Sequence, residues 1–117
     1  MNRRTHVAAA FDIVAILLFV AIGRRSHDEG DALRGMLRVA PPFLLGLGCG
    51  WIVARAWKAP TAITTGLVIW PVTVLVAMLL RRFAFDNGTA LSFIIVATIF
   101  LGALLVGWRA IYRAIYR

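Results

Sequence analysis

Residues 90–108 read ALSFIIVATIFLGALLVGW and contain no charged side chain. A helix needs roughly 20 residues to cross about 30 Å of hydrocarbon, which is close to the length of this stretch. Backbone N–H and C=O groups find no water to bond in that layer, so a spanning segment of this kind forms a helix. The stretch therefore predicts a transmembrane helix.

Three further apolar runs precede it, at 7–22, 39–54 and 62–80, and Asp12 is their single charged residue. Together the four runs predict an all-α membrane protein, with four transmembrane helices packed as a bundle in a single domain over 1–117. The predicted helices are 5–23, 39–57, 61–80 and 89–108, and a basic aromatic tail follows at 109–117.

The composition excludes a water-soluble domain. Of 117 residues, 62% are hydrophobic and 15% are charged, and the mean hydropathy is +0.86; a soluble protein of this size would aggregate. The net charge of +8 comes mainly from basic residues at the ends of the apolar runs, where they determine topology and do not indicate a nucleic-acid partner. A lone cysteine, Cys49, allows neither an intramolecular disulfide nor a thiolate metal cluster.

Basic residues flank the runs on both predicted membrane faces, and short loops rich in Lys and Arg stay in the cytoplasm. The face with both termini carries seven of them and the opposite face carries six: Arg3, Arg4, Arg55, Lys58, Arg109, Arg113 and Arg117 against Arg24, Arg25, Arg34, Arg38, Arg81 and Arg82. The count predicts that both termini lie in the cytoplasm. A difference of one leaves dual topology open.

The two halves of the chain share an internal repeat. At an offset of 57 residues, Arg24-Arg25 aligns with Arg81-Arg82, and Gly50-Trp51 aligns with Gly107-Trp108. Val39-Ala40, Phe43-Leu44 and Leu47 also meet identical residues at this offset. The repeat predicts two duplicated helical hairpins in parallel orientation, in which helix 1 corresponds to helix 3.

Asp12 is the candidate functional residue. A charged Asp at the centre of a membrane helix costs about 2.5–3.5 kcal/mol on insertion, so its side chain is expected to face the bundle. Pro71 cannot donate a backbone hydrogen bond, which frees the carbonyl of Leu67. With the indole of Trp70 and the nearby Thr73, these groups predict a polar layer that binds a proton, a cation or a small polar solute.

A structural role for Asp12 is the alternative. The carboxylate would then lock helix 1 to helix 3, or pair with Arg55 or Arg109, whose long side chains can reach inward from the same membrane face. Both roles stay open in the sequence.

Small residues mark the predicted helix contacts. Gly46, Gly50 and Ala54 recur every four residues in helix 2, and helix 4 carries Gly102 and Gly107. Such rows let helix backbones approach closely in a membrane. The partner of each row is either a helix of the same chain or one of another subunit.

The end of the chain, WRAIYRAIYR at 108–117, places arginines on one helical face and aromatic residues on an adjacent one. Anchoring at the membrane interface is the primary interpretation, and selective binding of anionic lipid is the alternative. The predicted interface residues are Arg24, Arg81, Trp108, Arg109, Tyr112 and Arg113.

Catalytic patterns are missing from the sequence. The two histidines, His6 and His27, lie near opposite ends of helix 1 and are too far apart to share one haem. No serine, cysteine or carboxylate pair stands near a base, and no Gly-rich phosphate loop follows a strand. We expect no enzymatic activity, no cofactor and no metal site.

Short motifs are spread over nearly the whole chain: Asp12, Gly23-Arg24, His27, Pro42-Phe43, Gly50-Trp51, Gly66, Trp70, Arg81 and Gly107-Trp108-Arg109. In these motifs the chain resembles a family of small prokaryotic membrane proteins catalogued as domain of unknown function 3054. The resemblance implies a four-helix inner-membrane protein and implies no activity.

Two classes of function follow. The first is a transport or permeation protein for a small solute or ion, with proton coupling as one form. Asp12 and the Pro71 layer would form its site in a homo-oligomer, because four helices leave little room for a pore of their own. The second is a non-catalytic accessory subunit of a larger membrane complex. The sequence slightly favours transport.

Overall fold

Four long helices make up most of the protein. The computed structural model describes residues 3–25, 32–83 and 91–116. Its helices are α1 (Arg3–Arg25), α2 (Ala32–Ala54), α3 (Ile63–Phe83) and α4 (Leu91–Ile115). The predicted all-α fold of four helices is confirmed over these residues. The side chain of Arg24, a predicted interface residue, lies outside the described part.

The helices fit a bilayer. Apolar stretches of 20 to 22 residues in α1, α3 and α4 are long enough to span it, and the apolar part of α2, Val39–Ala54, is shorter. The bundle is 42 Å long, close to the roughly 40–45 Å of a membrane with its headgroups. The protein is therefore membrane-embedded.

Two helices extend well past their predicted limits. α2 begins at Ala32 and not at 39, so Pro41 and Pro42 lie inside it and not in its first turn. α4 runs to Ile115, so most of the predicted tail is a continuation of this helix. Apolar content marks only the part of a helix inside hydrocarbon, whereas backbone hydrogen bonding continues the helix into the headgroup layer.

The connection between α2 and α3 closes one end of the bundle. α2 ends where Arg55 adopts a left-handed conformation, with φ of 51°, and a single 3-10 turn, Ala56–Lys58, follows. The hydroxyl of Thr65 donates to the carbonyl of Ala59 over 2.6 Å and ties the connection to the first turn of α3.

Each helix packs against the next in the chain, and α4 returns to α1. The contact between α2 and α3 is the most extensive. α1 and α3 are diagonally opposed, so within the described residues they touch each other marginally at most. Ile16, Phe43, Ile69 and Leu101, one from each helix, are fully buried in the core between them.

Candidate functional site

Asp12 lies on the buried face of α1. Ala8, Ala15, Ile16 and Phe19 share this face at helical spacing and are buried with it. The two alanines are small enough to let neighbouring helices approach. The side chain of Asp12 is fully buried, as the sequence predicts for an acid inside a membrane helix.

The carboxylate of Asp12 accepts four hydrogen bonds. Arg109 donates from Nη1 to Oδ1 and from Nη2 to Oδ2, each over 2.8 Å. The indole of Trp108 donates to Oδ1 over 2.8 Å, and that of Trp51 donates to Oδ2 over 2.8 Å. A carboxylate offers about four lone-pair positions, so its acceptor capacity is used.

The guanidinium of Arg109 is bound on all three nitrogens. Besides its two bonds to Asp12, Nε donates to the carbonyl of Pro60 over 2.9 Å, and Nη1 donates to the carbonyl of Leu105 over 3.0 Å. Gly66 of α3 leaves room for this side chain, because a Cβ there would lie 3.0 Å from Cδ of Arg109. The pair thus joins α1, α4 and the connection after α2.

Aromatic rings cover the ion pair. The guanidinium carbon of Arg109 lies 4.5 Å from the ring centroid of Trp108, and Phe11 stacks on that ring at 4.9 Å. The side chains of Asp12 and Arg109 are both 0% exposed. In this low-dielectric setting, the bidentate geometry and the additional donors offset the desolvation of two charges.

Asp12 lies near the middle of its own helix, as the tenth residue of the apolar stretch Arg3–Ile22, whereas its partners come from near the ends of theirs. Trp51 is three residues from the end of α2, and Pro60 belongs to the connection that follows. The depth of Asp12 in the bilayer stays a prediction.

Comparison with known families places the chain. A family model described as protein of unknown function (DUF3054) matches residues 9–112. The chain belongs to this family. No curated protein and no solved structure matches it. The DUF3054 region begins three residues before Asp12 and ends three residues after Arg109, so the complete cluster lies inside it.

In this DUF3054 chain, the predicted polar layer does not form around Asp12. The indole of Trp70 donates to the carbonyl of Thr98 over 2.7 Å. Leu67 is 48% exposed, and Pro71 is also exposed. The prediction that these residues surround Asp12 is wrong, because α3 is diagonal to α1 and the carboxylate reaches α2 and α4.

Thr73, the remaining residue predicted for that layer, is fully buried in α3. Its hydroxyl has no hydrogen-bond partner within the described residues. Of the two arginines considered as partners, Arg109 pairs with Asp12 and Arg55 is exposed.

The predicted packing glycines of α2 are used within the chain. A Cβ on Gly46 would lie 2.6 Å from the carbonyl oxygen of Thr73, and one on Gly50 would lie 3.1 Å from that of Ile69. Both therefore contact α3, with Ala54 half-buried at the end of the row. The small-residue row of α2 therefore packs against α3 of the same chain.

The two glycines of α4 behave differently. Gly102 accommodates the ring of Trp70, since a Cβ would lie 2.5 Å from Cε2. A Cβ added at Gly107 would meet no described atom within 4 Å, so this glycine contacts no other helix of the described chain, and its packing against another subunit stays a prediction. Five residues separate the two, which places them about 140° apart around the helix.

The predicted interface residues divide into two groups. Arg113 is exposed, and Arg81 and Tyr112 are half-buried near the ends of their helices. Arg109 is not an interface residue, because its guanidinium pairs with Asp12 inside the bundle. The N–H of Trp108 donates to the same carboxylate. Sequence reasoning missed Trp51 as a site residue; the repeated Gly-Trp pairs were the signal for it.

Proposed function

We propose that the protein is a non-catalytic accessory subunit of a larger assembly in the inner membrane, and that the Asp12 cluster is its structural lock. The observation that carries this proposal is the saturated carboxylate. All four bonds to Asp12 come from the chain itself, so a cation would have to displace an internal donor.

Transport at Asp12 is disfavoured on energetic grounds. Breaking a buried ion pair by removing one partner costs about 3–5 kcal/mol, and a transported solute would have to repeat this exchange in every cycle. No part of the carboxylate or guanidinium is accessible at the start of such a cycle.

Because the Asp12 cluster is closed, we place the functional contacts on the outer surface of the helices. Only 39% of the most apolar part of α1, 39% of that of α3 and 28% of that of α4 is buried within the chain. The remaining surface is available to lipid or to another membrane protein. Helix contacts in membranes are formed through such surfaces by close packing.

Site-directed photocrosslinking in the native membrane tests this role. A photoreactive residue at Ile52, which is exposed on α2, should give a stoichiometric adduct with one larger protein. The same probe at buried Leu47 of α2 is the matched control and should give none. Adducts only with a second copy of the chain would contradict the accessory role and indicate a homo-oligomer.

Reconstitution into liposomes tests the competing function. We expect no ion or proton flux above that of empty liposomes, in the native chain and in Asp12→Asn alike. A native flux that Asp12→Asn abolishes, while the variant remains folded, would assign transport to this residue.

We also propose that both termini lie in the cytoplasm. The face with the termini carries seven Arg and Lys residues against six on the other, with Arg109 counted although it pairs with Asp12 inside the bundle, and such a bias orients membrane proteins. A reporter that works only in the cytoplasm should be active when fused to either terminus, and a reporter that works only in the periplasm should be inactive there. Equal activity of a periplasmic reporter would instead indicate dual topology.

A further inference from the structure

An open cavity of about 430 Å³ lies at the end of the bundle that holds Arg4, Thr61 and the last turns of α4. Arg4 comes from the first turn of α1 and Thr61 from the connection before α3, while α4 contributes Tyr112, Arg113 and Tyr116. Its volume is within the range of about 300–1,000 Å³ that is usual for small-ligand sites.

The chemistry of the lining suits an anion. Two guanidinium groups, two phenols and one hydroxyl supply hydrogen-bond donors of a kind that oxyanions accept. Within residues 3–25, 32–83 and 91–116, Asp12 is the sole acidic side chain. Because Arg109 occupies it, no carboxylate of the described chain is left to neutralise Arg4 or Arg113.

The position of the cavity selects the kind of anion. α4 continues seven residues past Trp108, which is about 10 Å at 1.5 Å per residue. A headgroup layer is about 5–8 Å thick on each side of the hydrocarbon. With Trp108 at the hydrocarbon boundary, as the end of the uncharged run 90–108 predicts, residues 110–116 lie at the depth of lipid phosphates.

The flanking surface favours a lipid over a soluble ion. Ile111 and Ile115 are exposed on the same two turns of α4 that line the cavity. They offer an apolar surface to acyl chains, next to cationic groups that bind a phosphate.

We propose that this cavity binds the phosphate headgroup of one anionic phospholipid, with Arg4 and Arg113 as its ionic ligands. The site is separate from the Asp12 cluster and does not depend on the accessory role proposed above. Its loss would leave the ion pair and the fold in place, because Arg4 and Arg113 are both exposed.

Native mass spectrometry of the protein released from mixed phosphatidylglycerol and phosphatidylcholine nanodiscs tests the proposal. The native chain should retain one phosphatidylglycerol in preference to phosphatidylcholine. In Arg4→Gln/Arg113→Gln this preference should fall about 25-fold, or about fivefold for each arginine. Arg3→Gln/Lys58→Gln removes two exposed charges from the same end outside the cavity lining and should keep the preference.

Two outcomes overturn the proposal. One is an unchanged preference for phosphatidylglycerol in the Arg4→Gln/Arg113→Gln chain. The other is binding of glycerol 3-phosphate in detergent, without lipid, at the affinity of phosphatidylglycerol, which would identify a site for soluble phosphate esters. Tyr112→Phe supplies a variant of unchanged charge, and we expect it to weaken retention by less than either arginine substitution.

Discussion

Trp51 and Trp108 donate their indole N–H groups to opposite oxygens of the same carboxylate, that of Asp12. The two tryptophans are 57 residues apart and follow identical glycines. They flank α1 from α2 on one side and from α4 on the other. One acidic residue thus organises three of the four helices.

A second pair of aromatic residues at the same offset also contacts α1 from both sides. Phe43 and Phe100, again 57 residues apart, both contact Phe19 of α1, with ring centroids at 5.2 Å and 5.6 Å. A duplicated hairpin would place equivalent side chains on equivalent faces of α2 and α4. The duplication stays a prediction, and these contacts are what it would produce.

Removing the cation from the buried pair should be strongly destabilising. Arg109→Met leaves Asp12 with two indole donors and an uncompensated charge, so we expect a loss of about 3–5 kcal/mol. Reversible unfolding in detergent micelles, followed by circular dichroism, measures it. Arg113→Met, at an exposed arginine of the same helix, should change stability by less than about 0.5 kcal/mol.

A double variant separates the charge from the shape of the site. Asp12→Leu/Arg109→Met removes both charges, so it should be more stable than Arg109→Met alone despite carrying one more substitution. The free energies of unfolding of Asp12→Leu, Arg109→Met and the double variant are compared in the same detergent. If the loss in the double variant equals the sum of the losses in the two single variants, Asp12 and Arg109 are not energetically coupled, contrary to the geometry.

The helices could be predicted from sequence because long apolar runs without charge indicate segments that lie in hydrocarbon, where the backbone must be helical. The inward direction of Asp12 could also be predicted, since Ala8 and Ala15 share its face of α1. Arg109 was one of several candidate partners, and nothing in the sequence distinguished it from Arg55. In the structure Arg55 is exposed in a left-handed turn after α2, whereas Arg109 lies inside α4 and pairs with Asp12.

The partners of Asp12 could not be predicted because helical periodicity gives the buried face of a helix but not its neighbour. The predicted polar layer requires contact between helix 1 and helix 3, whereas the order of the helices around the bundle places them on a diagonal. Trp51 lies near the end of an apolar run, where aromatic residues are typical of the membrane interface. An indole at this depth can equally direct its N–H inward.

Each tryptophan in the cluster should contribute a charge-assisted hydrogen bond. Trp51→Phe keeps an aromatic ring but removes the donor to Oδ2 of Asp12, and we expect a loss of about 1.5–3 kcal/mol. Trp57→Phe is the matched control, because Trp57 is 45% exposed in the 3-10 turn. Equal unfolding midpoints for the two variants would show that the indole bond contributes no net stability.

Two neighbouring glycines of α2 predict opposite responses to one methyl group. At Gly46→Ala the new Cβ would lie 2.6 Å from a backbone oxygen of α3, so the helices must separate, at about 1–3 kcal/mol. At Gly48→Ala it would meet no described atom within 4 Å, and the gain in helix propensity should stabilise by up to about 1 kcal/mol. Thermal unfolding of both variants in the same detergent compares them, and a loss at Gly48 as large as at Gly46 would refute the packing assignment.

Thr73 predicts a stabilising substitution. Its hydroxyl is fully buried and has no partner within the described residues, and an unsatisfied polar group of this kind costs about 1–3 kcal/mol. Thr73→Val keeps the shape of the side chain and should raise stability by about 1 kcal/mol. Thr98→Val is the control. The hydroxyl of Thr98 donates to the carbonyl of Ile94 over 2.7 Å, so removing it should leave stability unchanged or lower it slightly. Destabilisation by Thr73→Val would mean that the hydroxyl is bonded in the membrane, to water or to a partner subunit, and would reopen α3 as a binding surface.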